Sequence, residues 1–303
     1  MLPTPDALFP DVPDAVRFDR ILEWISTWFN VLPLREAVRG LGAGTLPARA
    51  ASLTFDDGYE DNVSVALPIL ARRGFTATFF IATGYLDGGC MWNDRIITAI
   101  RECRRDMLDL TDLDLERHPL ESWSARRRAI ETIIERSKYR DTAERERLAD
   151  RVLEAAGAQA PTRIMMTTSG VRMLRASGME IGAHTVSHPI LSRLALEDAR
   201  REIAESKETL ENLIQEPVEL FAYPNGRPGV DYLAAHTRLP HEAGFVAAVS
   251  TGWGTAHRTS DTMQLPRFTP WDRTRGRFAL RLLQNLARRG DVVPTEATLS
   301  KRT

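Results

Sequence analysis

A chain of 303 residues, 43% of them hydrophobic, can bury the core of one large α/β domain or two small ones, and no apolar run in it is long enough to span a bilayer. The 40 Lys and Arg nearly cancel the 41 Asp and Glu, so a formal net charge of −1 excludes any general attraction to nucleic acid or anionic membranes while suiting a neutral substrate. Cys90 and Cys103 match no zinc-finger or redox spacing and read as ordinary thiols, and Met1-Leu2-Pro3-Thr4-Pro5-Asp6 lacks the basic and apolar runs of a secretory signal, so the chain as written reads as cytoplasmic.

In chain order, the β-prone run Ala51-Ser52-Leu53-Thr54-Phe55 ends in Asp56-Asp57-Gly58, which places both acids at a strand end with a glycine to turn the backbone. Glu60 to Arg73 predicts a helix with Val63, Ala66, Leu67 and Leu70 on one side and Gly74 at its end, and Thr76 to Ile81 predicts a strand. From about Asp87 to Thr162 the alternation breaks. This stretch is rich in Arg and Glu, poor in β-branched runs, and carries a capping box at Asp141-Thr142-Ala143-Glu144, so a helical insertion is expected. It is either scaffold or a wall over the substrate groove, with Met91-Trp92-Asn93-Asp94 at its entrance. Arg126 to Arg128 within it read as a solvated helix face.

The apolar run Met179-Glu180-Ile181-Gly182-Ala183 delivers His184, and Pro189, just after His188, argues against a long helix starting there. Ala199, Ile203, Leu210 and Ile214 mark an amphipathic helix over 196–215, followed by strands near 218–224 and 245–250 and a last helix near 276–289. Short strands alternating with helices predict an α/β layer or barrel, and no internal repeat or low-complexity tract interrupts it.

The chemistry lies in the acid pair and the histidine pair. His184 and His188 are four apart, which puts both rings on one side of a helical or an extended backbone. Two imidazoles and one carboxylate fill the three protein ligands of a catalytic cation such as zinc and leave a position for water. The other aspartate is then free as a base, though the residues alone do not say which acid does which. The plain alternatives are a solvated Asp-Asp-Gly turn and two satisfied histidines.

These motifs resemble those of the polysaccharide deacetylases, the NodB-homology or carbohydrate esterase family 4 group. Thr54 to Gly58 is similar to that family's first motif, His184-Thr185-Val186-Ser187-His188 to its second, and Phe221-Ala222-Tyr223-Pro224-Asn225-Gly226 to its third. The fold implied is a distorted (β/α) barrel of about seven strands, expected as a single domain over residues 1–303 with the insertion at about 87–162. Related chains begin with a Tyr-His-x-Val-like strand ahead of a region similar to Leu2-Pro3-Thr4-Pro5, so the expectation here is a truncated start or a barrel short of its first strand. An open edge would favour pairing with another segment or chain.

By the same resemblance Asp57, His184 and His188 would hold a divalent metal, Zn2+ first with Co2+, Ni2+ or Mn2+ as alternatives. Asp56 would be the base, and the Tyr223 backbone amide would donate to the oxyanion. Pro224 and Asn225 would contact substrate, and Trp253, in a stretch similar to a fourth motif, would wall the pocket unless it is a core tryptophan. Arg267 matches a Leu-Pro-Arg variant and would orient Asp56, the alternative being an ordinary surface arginine. The general-acid histidine that many members place near the domain end is missing from Leu265 to Asp272, and His236, His241 and His257 stand in no motif, so the acid is unassigned. The activity implied is hydrolysis of N-acetyl groups on a polysaccharide or its precursor, with water activated by the cation attacking the amide. The alternatives are a deformylase or other deacylase of a lipid-linked sugar, or an inactive glycan-binding subunit. No residue pattern assigns an oligomeric state.

Overall fold

Strands buried on both faces must be apolar at nearly every position, and Thr78–Ile81, Leu220–Ala222 and Ala247–Val249 are buried throughout. The computed structural model describes residues 3–269, 272–288 and 290–294, so Met1, Leu2 and the 289 end of the expected last helix lie outside the described residues. The elements run α1 (Ala15–Trp28), β1 (Asn30–Val31), α2 (Leu34–Ala43), β2 (Ala50–Ala51), β3 (Thr54–Phe55), α3 (Leu67–Arg73) and β4 (Thr78–Ile81). Next come α4 (Trp92–Glu102), β5 (Met107–Asp109), β6 (Arg117–Pro119), α5 (Trp123–Ser137) and α6 (Thr142–Ala156). The chain then resumes its alternation with α7 (Thr168–Ala176), β7 (Glu180–Ala183), α8 (Leu196–Ile214), β8 (Leu220–Ala222), α9 (Arg238–Glu242), β9 (Ala247–Val249) and α10 (Arg275–Leu286).

All pairings in the five-stranded sheet β3-β4-β7-β8-β9 are parallel. β1 pairs parallel with β2, and β2 and β3 belong to one segment, residues 50–55, which leans on β1 through Ala50 and Ala51 and on β4 through Thr54 and Phe55. Among the described residues these parallel strands, seven when β2 and β3 are counted separately, curl into an α/β half-barrel, in keeping with the expected distorted barrel, and a parallel bridge from Leu265 to Val249 extends the far edge. One apolar layer, including Leu22, Leu70, Ile203 and Phe221, packs helices on the sheet, and a second joins Leu34 to Phe80, Leu220, Val249 and Leu265. Gly182 is required between them, because a Cβ there would lie 2.4 Å from the Phe80 ring.

Two local expectations are corrected. The helix over 60–73 begins instead as a π-helical turn, Asn62–Ala66, before α3. Pro68 has no N–H for the carbonyl four residues back, and its ring crowds that carbonyl, so the spacing widens upstream. The insertion is not wholly helical: β5 and β6 form an antiparallel hairpin. Helices α4, α5 and α6 surround an apolar cluster separate from the main one, built from Ile96, Ile100, Ile130, Ile133 and Val152, with Leu8 from the N-terminal stretch inserted. Asp141 caps α6 as its sequence foretold, accepting from the Ala143 and Glu144 amides.

Candidate active site

Parallel pairing brings strand C-termini to one end of a sheet, and Asp56, His184 and Tyr223 each directly follow the last residue of β3, β7 and β8. There the backbone is bent into conformations that side chains disfavour. Asp57, Thr185, His188 and Asn225 have φ of 76°, 67°, 51° and 59°, each at a cost of about 1–3 kcal/mol that the surrounding bonds must offset.

The bend aims three donors at one point. Asp57 Oδ1 lies 3.3 Å from His184 Nε2 and 3.2 Å from His188 Nε2. One donor atom from each residue lies within 4.8 Å of the others, a spacing that fits a shared cation. His184 is buried, and its Nδ1 is 2.7 Å from the Ala222 carbonyl, so Nδ1 carries a proton and Nε2 is the ring atom turned to Asp57. Burial works against a charged His184, but the Asp57 hydrogen bond and the charges of Asp56 and Asp57 prevail and raise its proton affinity above the ordinary histidine value. Asp57 is held well below the usual carboxylate range: burial would raise it, and both histidines outweigh that.

The histidine loop has a brace that sequence reasoning missed. Glu202 of α8 accepts from the Val186 and Ser187 amides at 2.9 and 2.8 Å and from the Ser187 hydroxyl at 2.7 Å. Tyr85 adds a hydrogen bond to the Ser187 carbonyl, and the Thr83 and Gly84 amides donate to the Thr185 and Val186 carbonyls. Only its place one residue before buried Ile203 hinted that Glu202 could face inward.

Asp56 is gripped by Arg267, whose Nη1 and Nη2 donate to Oδ1 and Oδ2 at 2.7 Å each. The same guanidinium donates from Nε to the Ser250 carbonyl at 2.8 Å and from Nη1 to Thr54 Oγ1 at 3.3 Å. Burial pushes the Asp56 carboxyl up, yet the charges of Arg267 and His184 and the bidentate bond bring it below the ordinary value. This clasp joins the two ends of the curled sheet, residues 50–55 and Leu265–Phe268, across an apolar cavity of about 550 Å³ that α1, α2 and α10 also line.

The remaining expected residues divide. The Tyr223 amide already donates to the Val249 carbonyl at 3.2 Å, and the side chain is buried, with its hydroxyl on the Met263 carbonyl. Pro224 is buried, and Asn225 turns the chain while its carbonyl accepts from Thr251 Oγ1. Trp253 is turned toward the C-terminal helix: its ring meets Phe268 edge-on at 5.7 Å and carries Arg281 and Arg288 at 4.9 and 5.4 Å. His236, His241 and His257 take no part in the Asp57, His184 and His188 cluster. His236 is buried, which lowers its proton affinity, and its Nδ1 accepts from the Leu233 amide. At the insertion's first helix Asp94 accepts from Tyr59 Oη at 3.1 Å and from the Met91 amide, and burial pushes its carboxyl up to about 6.

A family model described as polysaccharide deacetylase matches residues 43–244. No protein of curated function matches the chain in sequence. Among solved structures, the Streptococcus pyogenes deacetylase PplD, in complex with acetate, is 21% identical with a TM-score of 0.54, the likeness covering 84% of this chain and 80% of that one. IcaB from Ammonifex degensii is 16% identical with a TM-score of 0.55, over 88% and 89% of the two chains. A de-N-acetylase from Aggregatibacter actinomycetemcomitans is 15% identical with a TM-score of 0.53, over 88% and 90%. At these identities what is shared is the fold.

Proposed function

The chain belongs to the polysaccharide deacetylase family, and on that premise we propose that it is a metal-dependent enzyme that hydrolyses N-acetyl groups on a polysaccharide or its precursor. One observation carries the reading: Asp57, His184 and His188 converge, and the adjoining Asp56 is kept as a carboxylate by Arg267. The donor set fits a divalent cation, because the Ala222 carbonyl holds His184 by Nδ1 and leaves Nε2 for a cation to take, and two imidazoles with one carboxylate suit Zn2+, with Co2+, Ni2+ or Mn2+ as alternatives. Such a cation supplies Lewis acidity, lowering the pKa of water and offering positive charge to a developing oxyanion.

The protein's own groups do the rest. Arg267 occupies one lone pair on each Asp56 oxygen, and a carboxylate has a second on each, so Asp56 can accept a proton from the attacking water without releasing its partner. Once protonated beside that guanidinium, the carboxyl is a stronger acid than it would be alone and can pass the proton to the departing nitrogen. This assigns both proton transfers to Asp56 and needs no further histidine. The Tyr223 amide, which donates to the Val249 carbonyl at 3.2 Å, would have to leave that partner to donate to the oxyanion, the role the family resemblance gives it. Cleavage of the amide C–N bond leaves acetate and a free amine on the sugar.

Acetate release from N-acetylglucosamine oligomers, measured on metal-loaded and chelator-treated protein, tests the proposal. Release should vanish with chelator and return with Zn2+. Asp56→Asn should lose turnover with one metal per chain retained, and His184→Ala should lose the metal. Release that ignores chelator, or none from the metal-loaded parent on several acetylated glycans, would overturn it.

A further inference from the structure

The chain's near-zero net charge conceals a strong local one. From Arg273 to Arg289 the sequence holds six arginines and no acid. Within this stretch α10 turns Phe278 and Asn285 inward, where Phe278 stacks on Trp28 and Asn285 donates to the Gly254 carbonyl. At 100° per residue the opposite side of the helix carries Leu280 and Leu283, with Leu286 at its margin. These three are 57%, 64% and 50% exposed, although a surface helix ordinarily turns its leucines to the core. Arg277 borders this stripe on one side and Arg275 on the other, and Arg288 follows two residues past the helix. Among the described residues none of these three arginines forms an ion pair; Arg275 and Arg288 lie over Trp28 and Trp253.

Scattered exposed leucines need no explanation, but a row of them on one helix between unpaired cations does. An apolar stripe flanked by arginines is complementary to a bilayer surface, where leucines enter the acyl boundary and guanidinium groups meet phosphates. Nucleic acid would engage the arginines and leave the leucines in water, and a second copy would set arginine against arginine unless its own acids lay opposite. We propose that α10 is a membrane-surface anchor that docks this protein on anionic lipid with the helix lying in the interface plane. The protein would then work at a lipid surface through a helix that lies on it. Among the described residues no helix is long and apolar enough to do so.

The test is sedimentation of the full, metal-loaded chain with phosphatidylcholine vesicles, with and without phosphatidylglycerol, at low and high salt. Binding should require the anionic lipid and weaken with salt. Leu280→Glu with Leu283→Glu should lower the partition coefficient more than about tenfold. Arg277→Gln should lower it about fivefold, the worth of one cation at an anionic surface. Both variants should keep the parent's melting temperature and its activity on a soluble oligosaccharide. No binding by the parent, or binding untouched by the leucine changes, overturns the proposal. So does a parent that is dimeric in solution, splits on Leu283→Glu and ignores vesicles, since that face would then join two copies. Binding is read without turnover, so this inference fails or holds apart from the deacetylase reading.

Discussion

Replacing Arg267 by alanine removes both guanidinium bonds from Asp56 and opens the clasp across the two ends of the sheet. Exposed ion pairs contribute about 0–1 kcal/mol, whereas breaking a buried pair by removing one partner costs about 3–5 kcal/mol. The Arg267 and Asp56 side chains are only 15% and 28% exposed, so the expected loss lies near the lower end of the buried range, about 3 kcal/mol. For a chain of 303 residues that is a fall of about 5 °C in Tm. The pH dependence has a definite sign. Asp56 is held below its unfolded value, so the pair's stabilisation is fully present above the ordinary carboxylate range and fades as pH falls through the depressed folded value. In Arg267→Ala burial acts with less opposition, the carboxyl rises, and the acid limb of kcat/KM moves to higher pH. Thermal melts of the parent, Arg267→Ala, Asp56→Asn and the double variant give the coupling energy, and pH–rate profiles of the parent and Arg267→Ala give the limb. Arg267→Lys, which keeps charge without the fork, should fall between. A coupling below about 0.5 kcal/mol, no larger than that of independent sites, together with an unmoved limb, would refute the reasoning.

Other expectations follow from the same geometry. Glu202→Ala should leave the fold intact yet lower kcat about 10–100-fold by loosening the loop that aims both histidines, and parent-like kinetics would remove Glu202 from the site. Because His184 binds a proton more tightly than an ordinary histidine, acidification should strip the metal as pH falls through the histidine range, read as metal content after dialysis; occupancy constant from neutral to pH 5 would contradict the assignment. His188→Ala should abolish stoichiometric metal binding by elemental analysis while the far-ultraviolet circular dichroism stays unchanged. Gly182→Ala puts a Cβ 2.4 Å from the Phe80 ring and should cost about 1–3 kcal/mol in denaturant melts, so an unshifted midpoint would mean that the ring moves aside freely.

Asp56, Asp57, His184 and His188 could be found in the sequence because each pair falls within five residues and follows a short apolar run, so the motif and its strand-end position were visible together. Arg267 was reachable only through resemblance, since a lone arginine more than 200 residues from its partner leaves no local trace. Glu202 was hidden for another reason: α8 carries many acids, and which one meets the histidine loop depends on how the helix packs. Strands came out shorter than their apolar runs, as with residues 218–224 against Leu220–Ala222, because apolarity reports burial and a ladder needs a neighbour in register. The hairpin of Met107–Asp109 and Arg117–Pro119 has too few residues for an alternation to register. Trp253 looked like a sugar platform because composition cannot tell which face of an indole is taken, and α10 takes it.

The separate interior of α4, α5 and α6 makes that stretch a natural cassette. Its links to the barrel include the Tyr59 to Asp94 bond and the 3.2 Å bond from Tyr139 Oη to Asp231. A transplant that carries Asp94 and Tyr139 with the enclosed apolar set could be traded between relatives while the strand-end acids and imidazoles stay where they are. Substrate preference that travels with the cassette would make it the handle for re-engineering which substrate is chosen.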